Sequence, residues 1–362
     1  MLSSKLLVKA ATTATRVLPT VLGIESSCDD SCAAILENGL VIRDVRISQF
    51  HTHSPYGGIM PNLAVREHER NMPLVLEECL AGITKPPDLI AVSIGPGMKA
   101  CLRVGMNHAL RLGKQFNVPV LGVNHLEAHS LVARQENPSL TFPYLCLLVS
   151  GGHTCLTLVT APGKQQELGS TLDDAMGEAF DKVIRQLQEE GKCDNNHPLA
   201  VGHGGAALEQ LASQGRTLPE LKLPIALRKA KSIKSLDFSF SGLKASTTRT
   251  IAKGQFSPQD VALAFQTAAV EHCRLVVGNT LAAHPTVNKL VICGGVASNQ
   301  ALRLALENQA TQHAAKLYFP SPKLCVDNGV MVAWCGLEHH PFLTNLVTEN
   351  TNPLARWPLS EL

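Results

Sequence analysis

Several things are scarce or missing in this chain of 362 residues, and each absence excludes a class of protein. No apolar run approaches the roughly 20 residues needed to cross a bilayer, so no membrane span is expected. No C-x-x-C pair occurs among the 11 cysteines. Cys146, Cys155 and Cys293 lie inside apolar runs, where a reduced thiol packs as a small hydrophobe. That pattern argues for a reducing compartment and against a disulfide framework. Cys28 and Cys32 are the only close pair, and their three-residue spacer is a poor metal signal. Neither the Walker pattern nor G-x-G-x-x-G is present, which disfavours P-loop and Rossmann sites. Acids are absent from Met1 to Ile24, where Lys5, Lys9, Arg16 and many serines and threonines occur without a long apolar core. Residues 1–20 therefore read as a mitochondrial presequence and the chain as a matrix protein; the other reading is a disordered cytosolic tail. With 32 basic against 30 acidic residues the net charge is +2, so only local charge can point to a partner.

What is present is 45% apolar and 17% charged, a globular composition over a length that makes two domains the default. Val21–Ile24 and Cys32–Leu36 read as strands around the polar turn Glu25–Ser31, with Asp29 at its tip. Tyr144–Val149 and Cys155–Val159 repeat that arrangement around Ser150–Thr154. Two strand–turn–strand units, each heading a mixed α/β half, predict an internal duplication with a cleft between residues 21–143 and 144–362. Helices are expected at 61–82, 99–116, 126–134, 172–187, 206–213, 259–284, from 300, and at 331–338. Residues 191–205 read as a loop, and 219–254 as a basic insertion, with eight Lys or Arg and one acid, Asp237, between 221 and 254.

Chemistry concentrates at His125-Leu126-Glu127-Ala128-His129, directly after the apolar run Val118–Val123. Histidines four apart on a helix share a face and can reach one divalent cation. Two helix histidines making ordinary hydrogen bonds would look the same. The metalloprotease signature needs a glutamate directly after the first histidine, and here Glu127 comes two residues after it. Asp327, in a tight turn with Asn328 and Gly329, is the best oxygen ligand to join them, although a turn aspartate usually bonds its own backbone. Three glycine turns, Ser150-Gly151-Gly152, Gly204-Gly205 and Gly294-Gly295, would let backbone N–H groups approach a phosphate or ribose. Glu209, one turn after Gly205, is placed to take a ribose diol or to be a solvated acid; Asp181 is equally placed to pair with Arg185. If about six charges of the basic stretch met nucleic-acid phosphates, binding would fall with salt at a log–log slope of about −4 to −5.

These residues, taken together, resemble the TsaD/Kae/OSGEP-like family of tRNA threonylcarbamoyladenosine transferases, and its mitochondrial branch most. The resemblance rests on Gly23–Asp30, Tyr56–Ile59 with Pro61, Gly95-Pro96-Gly97, Asn124–His129, Leu148–Thr154, Asp173–Lys182, Phe238–Lys244, Gly294–Asn299 and Cys325–Gly329, which run in family order. It implies an α/β ASKHA (actin/Hsp70-like) fold with two RNase H-like subdomains around a nucleotide cleft. It further implies one divalent metal ion per subunit, zinc or iron, on His125, His129 and Asp327. The substrate would be threonylcarbamoyl-AMP from a separate synthase, met by Leu148, Val149, Ser150, Gly151, Gly152, Asp181, Gly205, Glu209, Ser298 and Asn299. A tRNA anticodon stem-loop would present adenosine 37 on the basic stretch, and the protein would be a homodimer. Asp29 is the candidate for proton handling. Three positions depart from the family pattern. Val326 stands where threonine is usual, His203-Gly204-Gly205-Ala206 replaces Pro-Gly-Gly-Pro after a longer loop, and Ala128 replaces glycine in the metal helix. Competing readings are a zinc endopeptidase, an ASKHA ATPase or sugar kinase, and a nucleotide-sensing assembly subunit without transfer activity.

Overall fold

The computed structural model describes residues 18–56, 58–190, 204–226 and 236–362. The expected presequence up to residue 17, Gly57, residues 191–203 of the expected loop, and the basic residues Arg228, Lys229, Lys231 and Lys234 lie outside the described residues.

Strands β1 (Val21–Glu25), β2 (Asp30–Glu37) and β3 (Leu40–Ser48) form an antiparallel meander. Helices α1 (Phe50–His53) and α2 (Pro61–Leu80) follow, then β4 (Leu89–Gly95), α3 (Lys99–Phe116) and β5 (Val120–Asn124). Helix α4 (His125–Leu131) starts at the end of β5, and α5 (Ala133–Glu136) follows it. The second half repeats the scheme with β6 (Tyr144–Val149), β7 (Thr154–Ala161) and β8 (Lys164–Ser170), then helices α6 (Met176–Glu189), α7 (Gly204–Ser213), α8 (Ser241–Lys253) and α9 (Pro258–Ala283). Strand β9 (Lys289–Cys293), α10 (Gln300–Gln312), β10 (Lys316–Tyr318), α11 (Pro322–Cys325) and α12 (Gly329–His339) complete it.

Both sheets have five strands and one strand order. The first runs β3-β2-β1-β4-β5 and the second, read from its meander edge, β8-β7-β6-β9-β10. In each, the first strand of the meander is central, antiparallel to its hairpin partner and parallel to the next strand. Burial on both faces explains why β1 and β6 are unbroken apolar runs but for Glu25. The expected duplication is therefore present in the backbone. Helices α4 and α12 contribute to the buried layer between the sheets, with Leu126, Ala128 and Leu131 packed among Tyr144, Cys146, Val291, Met331 and Cys335.

Four expectations change. Helix α6 begins at Met176, so Asp173 and Asp174 stand in the turn before it. Helix α7 begins at Gly204 rather than Ala206. Helix α4 ends at Leu131, with Val132 as its cap, instead of continuing to Arg134. Strands β3 and β8 lacked an apolar run because they are largely exposed edge strands. From residue 236 the basic stretch is integral to the second half, since Phe238 and Phe240 are fully buried. The chain also crosses back at its end. Helix α12 packs on β1, β2 and β4, and Val347 and Leu354 donate backbone N–H groups to Val120 and Ile94 at 2.8 and 2.7 Å. Gly23 and Gly329 permit this contact: a Cβ at Gly23 would overlap the carbonyl of Gly329 and the N–H of Ala333.

Candidate active site

The first centre is built from four segments distant in sequence. Asn124 caps α4 by accepting hydrogen bonds from the N–H groups of Leu126 and Glu127 at 2.9 and 3.2 Å, which sets the helix going at the end of β5. One face of α4 then presents His125 and His129, their rings 4.8 Å apart and nearly perpendicular. Asp327, at the head of α12, brings Oδ1 to 3.1 Å from His129 Nε2 and 3.6 Å from His125 Nε2. The three ligand atoms lie within 4.8 Å of one another. Two imidazole nitrogens and a carboxylate oxygen converging on one point are a donor set suited to zinc or iron, so the residues present fit a divalent ion.

Behind His125 stands Glu25, fully buried at the end of β1. Its Oε2 lies 3.1 Å from His125 Nδ1 and also accepts the hydroxyl of Ser93, while Oε1 accepts the N–H of Ser27 at 2.5 Å. A carboxylate on Nδ1 fixes the ring and leaves Nε2 for a metal. Burial opposes charge on His125, but Glu25 and Asp327 outweigh it and raise the imidazole to about 9. Burial likewise acts to raise Glu25 and Asp327, and the neighbouring imidazoles win, holding both carboxyls below their ordinary range. His153 reaches the same centre from the β6–β7 turn; burial, then the charges of His125 and His129, lower it to about 4. Neither Glu25 nor His153 was singled out by spacing. The available signal was an acid closing an otherwise apolar strand, and a histidine inside a glycine turn.

Asp29 sits in the β1–β2 turn, its carbonyl accepting the N–H of Gln49 at 3.0 Å. The turn lies close to the centre: Cys32 Sγ donates to the Asp327 carbonyl at 3.6 Å, and burial, then Asp29 and Asp327, push the Cys28 thiol well up. Beside Asp29, burial raises Asp30 to about 7.

A pocket of about 220 Å3 adjoins the centre and is lined by Gly151, Asp181, Gly205, Glu209, Gly295, Ser298, Asn299 and Val326. Positions Gly151, Gly152, Gly205 and Gly295 would each carry a Cβ with no atom within 4 Å, so their backbones face open space. Other expected contacts have second commitments. Asn299 accepts the N–H of Leu302 and donates to Gln266, both at 2.9 Å, so its side chain caps α10. Glu209 Oε1 accepts the N–H of Gln300 at 2.7 Å, and the Ser298 hydroxyl donates to the Gly295 carbonyl at 2.7 Å. Leu148 and Val149 are buried strand residues whose side chains belong to the core. Lys182 pairs with Asp174 and Glu178 at 2.8 Å, and Asp181 Oδ1 lies close against Gly204.

Part of the basic stretch is neutralised, since Lys244 pairs with Asp174. Asp173 holds the start of α8, accepting the N–H groups of Phe240 and Ser241 at 2.8 and 3.1 Å and the hydroxyls of Ser239 and Ser241 at 2.6 and 2.7 Å.

Two sheets of one strand order around a cleft make an ASKHA-type fold, and solved structures agree on it. HypF, in its phosphate- and nucleotide-bound form, superposes over 91% of this chain with a TM-score of 0.57 at 12% identity; this chain spans 57% of that HypF chain. Component A of (R)-2-hydroxyglutaryl-CoA dehydratase from Acidaminococcus fermentans superposes over 89% of this chain and 99% of its own, with a TM-score of 0.50 at 14% identity. Within that class the sequence is specific. The family described as TsaD, tRNA N6-adenosine threonylcarbamoyltransferase, matches residues 40–334, and the chain belongs to it. It is 38% identical to the probable mitochondrial tRNA N6-adenosine threonylcarbamoyltransferase of Arabidopsis thaliana, over 94% of this chain and 75% of that one. The tRNA N6-adenosine threonylcarbamoyltransferase of Bartonella bacilliformis is also 38% identical, over 94% of this chain and 95% of its own. The chain is thus a transferase acting on tRNA. Among the described residues no helix is long and apolar enough to cross a membrane.

Proposed function

We propose that the protein moves the threonylcarbamoyl group from threonylcarbamoyl-AMP to the exocyclic amine of adenosine 37 in mitochondrial tRNAs that read ANN codons, releasing AMP. One observation carries this reading: Val326 lines the glycine pocket, and the next residue, Asp327, completes the group with His125 and His129. An adenylate seated among the glycines would therefore have its far end beside that group.

In the reaction a bond forms between the amine nitrogen and the carbamoyl carbon, and the bond from that carbon to the phosphate oxygen breaks. The electron pair leaves with AMP, and the amine gives up a proton. The pocket is smaller than the ~300–1,000 Å3 common for whole-ligand sites, so it suits part of the adenylate, with the rest in the open cleft. Bare backbone at Gly151, Gly152, Gly205 and Gly295 would hold the AMP portion and position the acyl carbon. Asp181, Glu209, Ser298 and Asn299 would frame it, Asn299 by fixing the pocket wall rather than by donating its side chain. One divalent ion per subunit, zinc or iron, held by His125, His129 and Asp327, would supply Lewis-acid polarisation of the acyl oxygen. Glu25 keeps His125 oriented for that task. Asp29, in the adjoining turn, would take the proton from the amine.

The basic stretch would bind the anticodon stem-loop. A homodimer and a separate adenylate synthase follow from the family resemblance, and the Arabidopsis relative supports a mitochondrial location. The test is modification of a mitochondrial ANN-decoding tRNA transcript by purified protein, with an enzymatic source of threonylcarbamoyl-AMP, read by nucleoside mass spectrometry. Product that is absent with His129→Ala is expected. No product from the native protein, with metal and adenylate both shown bound, would overturn the reading.

A further inference from the structure

Helix α4 has a second chemical face. His125 and His129 look toward Asp327, while Glu127 points to the other side and meets the far end of α12. There Cys335 and His339 stand four residues apart, one helical turn, so both reach the same point. Glu127 Oε2 lies 3.0 Å from His339 Nε2, and Glu127 Oε1 accepts the N–H of Gly163 at 2.7 Å. The ligand atoms of Glu127, Cys335 and His339 all lie within 4.8 Å of one another. Four ligands set tetrahedrally about zinc sit about 3.5 Å apart, so only a small inward shift separates this group from a coordination shell. Glu127 and Cys335 are buried, and the His339 side chain keeps 12% of its surface exposed, which leaves a way in beside the Gly163 turn.

We propose that Glu127, Cys335 and His339 form a second metal site, separate from the active centre, that takes a thiophilic divalent cation such as zinc. One thiolate, one imidazole and one carboxylate make a softer donor set than the two imidazoles and carboxylate of the first centre, so the two sites differ in kind. On binding, the Cys335 thiol releases its proton to solvent and sulfur donates to the cation; nothing is oxidised or reduced. The same two helices serve both sites. Helix α4 supplies ligands from two faces, and α12 has Asp327 just before its first turn and Cys335 and His339 toward its last. An ion at the second site would clamp α4 to α12 from behind and hold the first pair of histidines in place.

Cobalt distinguishes the sites, because only a thiolate ligand gives sulfur-to-metal charge-transfer absorption in the near ultraviolet. Full-length protein, freed of metal and carrying Cys28→Ser to remove the one thiol among the described residues that is not buried, is loaded with Co2+ and followed by absorbance and metal analysis. The expected result is two equivalents bound, with a charge-transfer band. Cys335→Ser should abolish the band and lower the stoichiometry to one, and His339→Gln, a more exposed and milder change, should weaken band and binding at least tenfold. His129→Ala should lose the other equivalent and keep the band. A single equivalent without the band in the parent protein, or a band unchanged by both Cys335→Ser and His339→Gln, would overturn the proposal.

Discussion

The turn after β1 and the turn after β6 hold equivalent places in two sheets of the same strand order, and their surroundings are opposite. After β1 the backbone is hemmed in: the Ser26 hydroxyl donates to the Cys101 carbonyl at 2.9 Å, and Glu25 is locked between Ser27, Ser93 and His125. After β6, Gly151 and Gly152 have nothing within 4 Å of where a side chain would start. A duplicated frame thus supplies two strand ends facing one cleft. The first is filled with ionisable groups that hold the His125 ring, and the second leaves bare backbone, the seat that the proposed function gives to the substrate.

The sharpest way to break this contrast is on the charged side. His129→Ala removes one of three converging donors and should lower transfer more than about 100-fold, with the bound ion lost on metal analysis. Glu25→Gln keeps the shape but weakens the hold on His125. Metal affinity should drop about 10- to 100-fold in a chelator competition, with the fold retained by circular dichroism. On the empty side, Gly295→Ala places a methyl group where nothing now lies. The Michaelis constant for the adenylate should rise on the order of tenfold, with metal content and melting temperature unchanged. Equal loss of metal in both glutamate and glycine variants would erase the division of labour.

The smallest effect concerns stability far from the cleft. His272, buried in α9, accepts the N–H of Ser239 at 3.2 Å, and burial lowers its imidazole to about 4. The unfolded chain therefore binds a proton that the folded chain refuses between about pH 6.5 and 4. Stability should fall as pH falls through that window, by up to about 1.4 kcal/mol per pH unit from this one group. Urea unfolding of the native protein and His272→Gln at pH 7 and pH 5 checks this: the difference between the two pH values should shrink in the variant.

Much of the frame was legible because central strands buried on both faces must be continuous apolar runs, as Tyr144–Val149 is. Strands β3 and β8 escaped because an exposed edge strand such as Lys164–Ser170 needs no such run. His125 and His129 were legible because helical spacing is a local property. Asp327 could be only a candidate from its turn, and Glu25 could not be found at all by spacing, since it becomes a partner of His125 only when β1 and α4 meet. Asp173 shows the same limit: its acidic run looked helical, whereas the four hydrogen bonds its carboxylate accepts come from the start of α8, some 67 residues away. Nor does the apolar face of α12 name the sheet it will cover.

The return of the chain to the first sheet bears on how an ion would survive repeated turnover. Asp327 is encoded with the second lobe but rides on the first, because α12 and the segment after it are fastened there. All three candidate donors are therefore fastened to the first sheet, whereas Gly151 and Gly295 follow β6 and β9 of the second. Under the proposed function, widening the cleft for AMP to depart would separate seat from donors without stretching the donor triangle itself. An ion held there would stay aboard from one cycle to the next while only the nucleotide is exchanged.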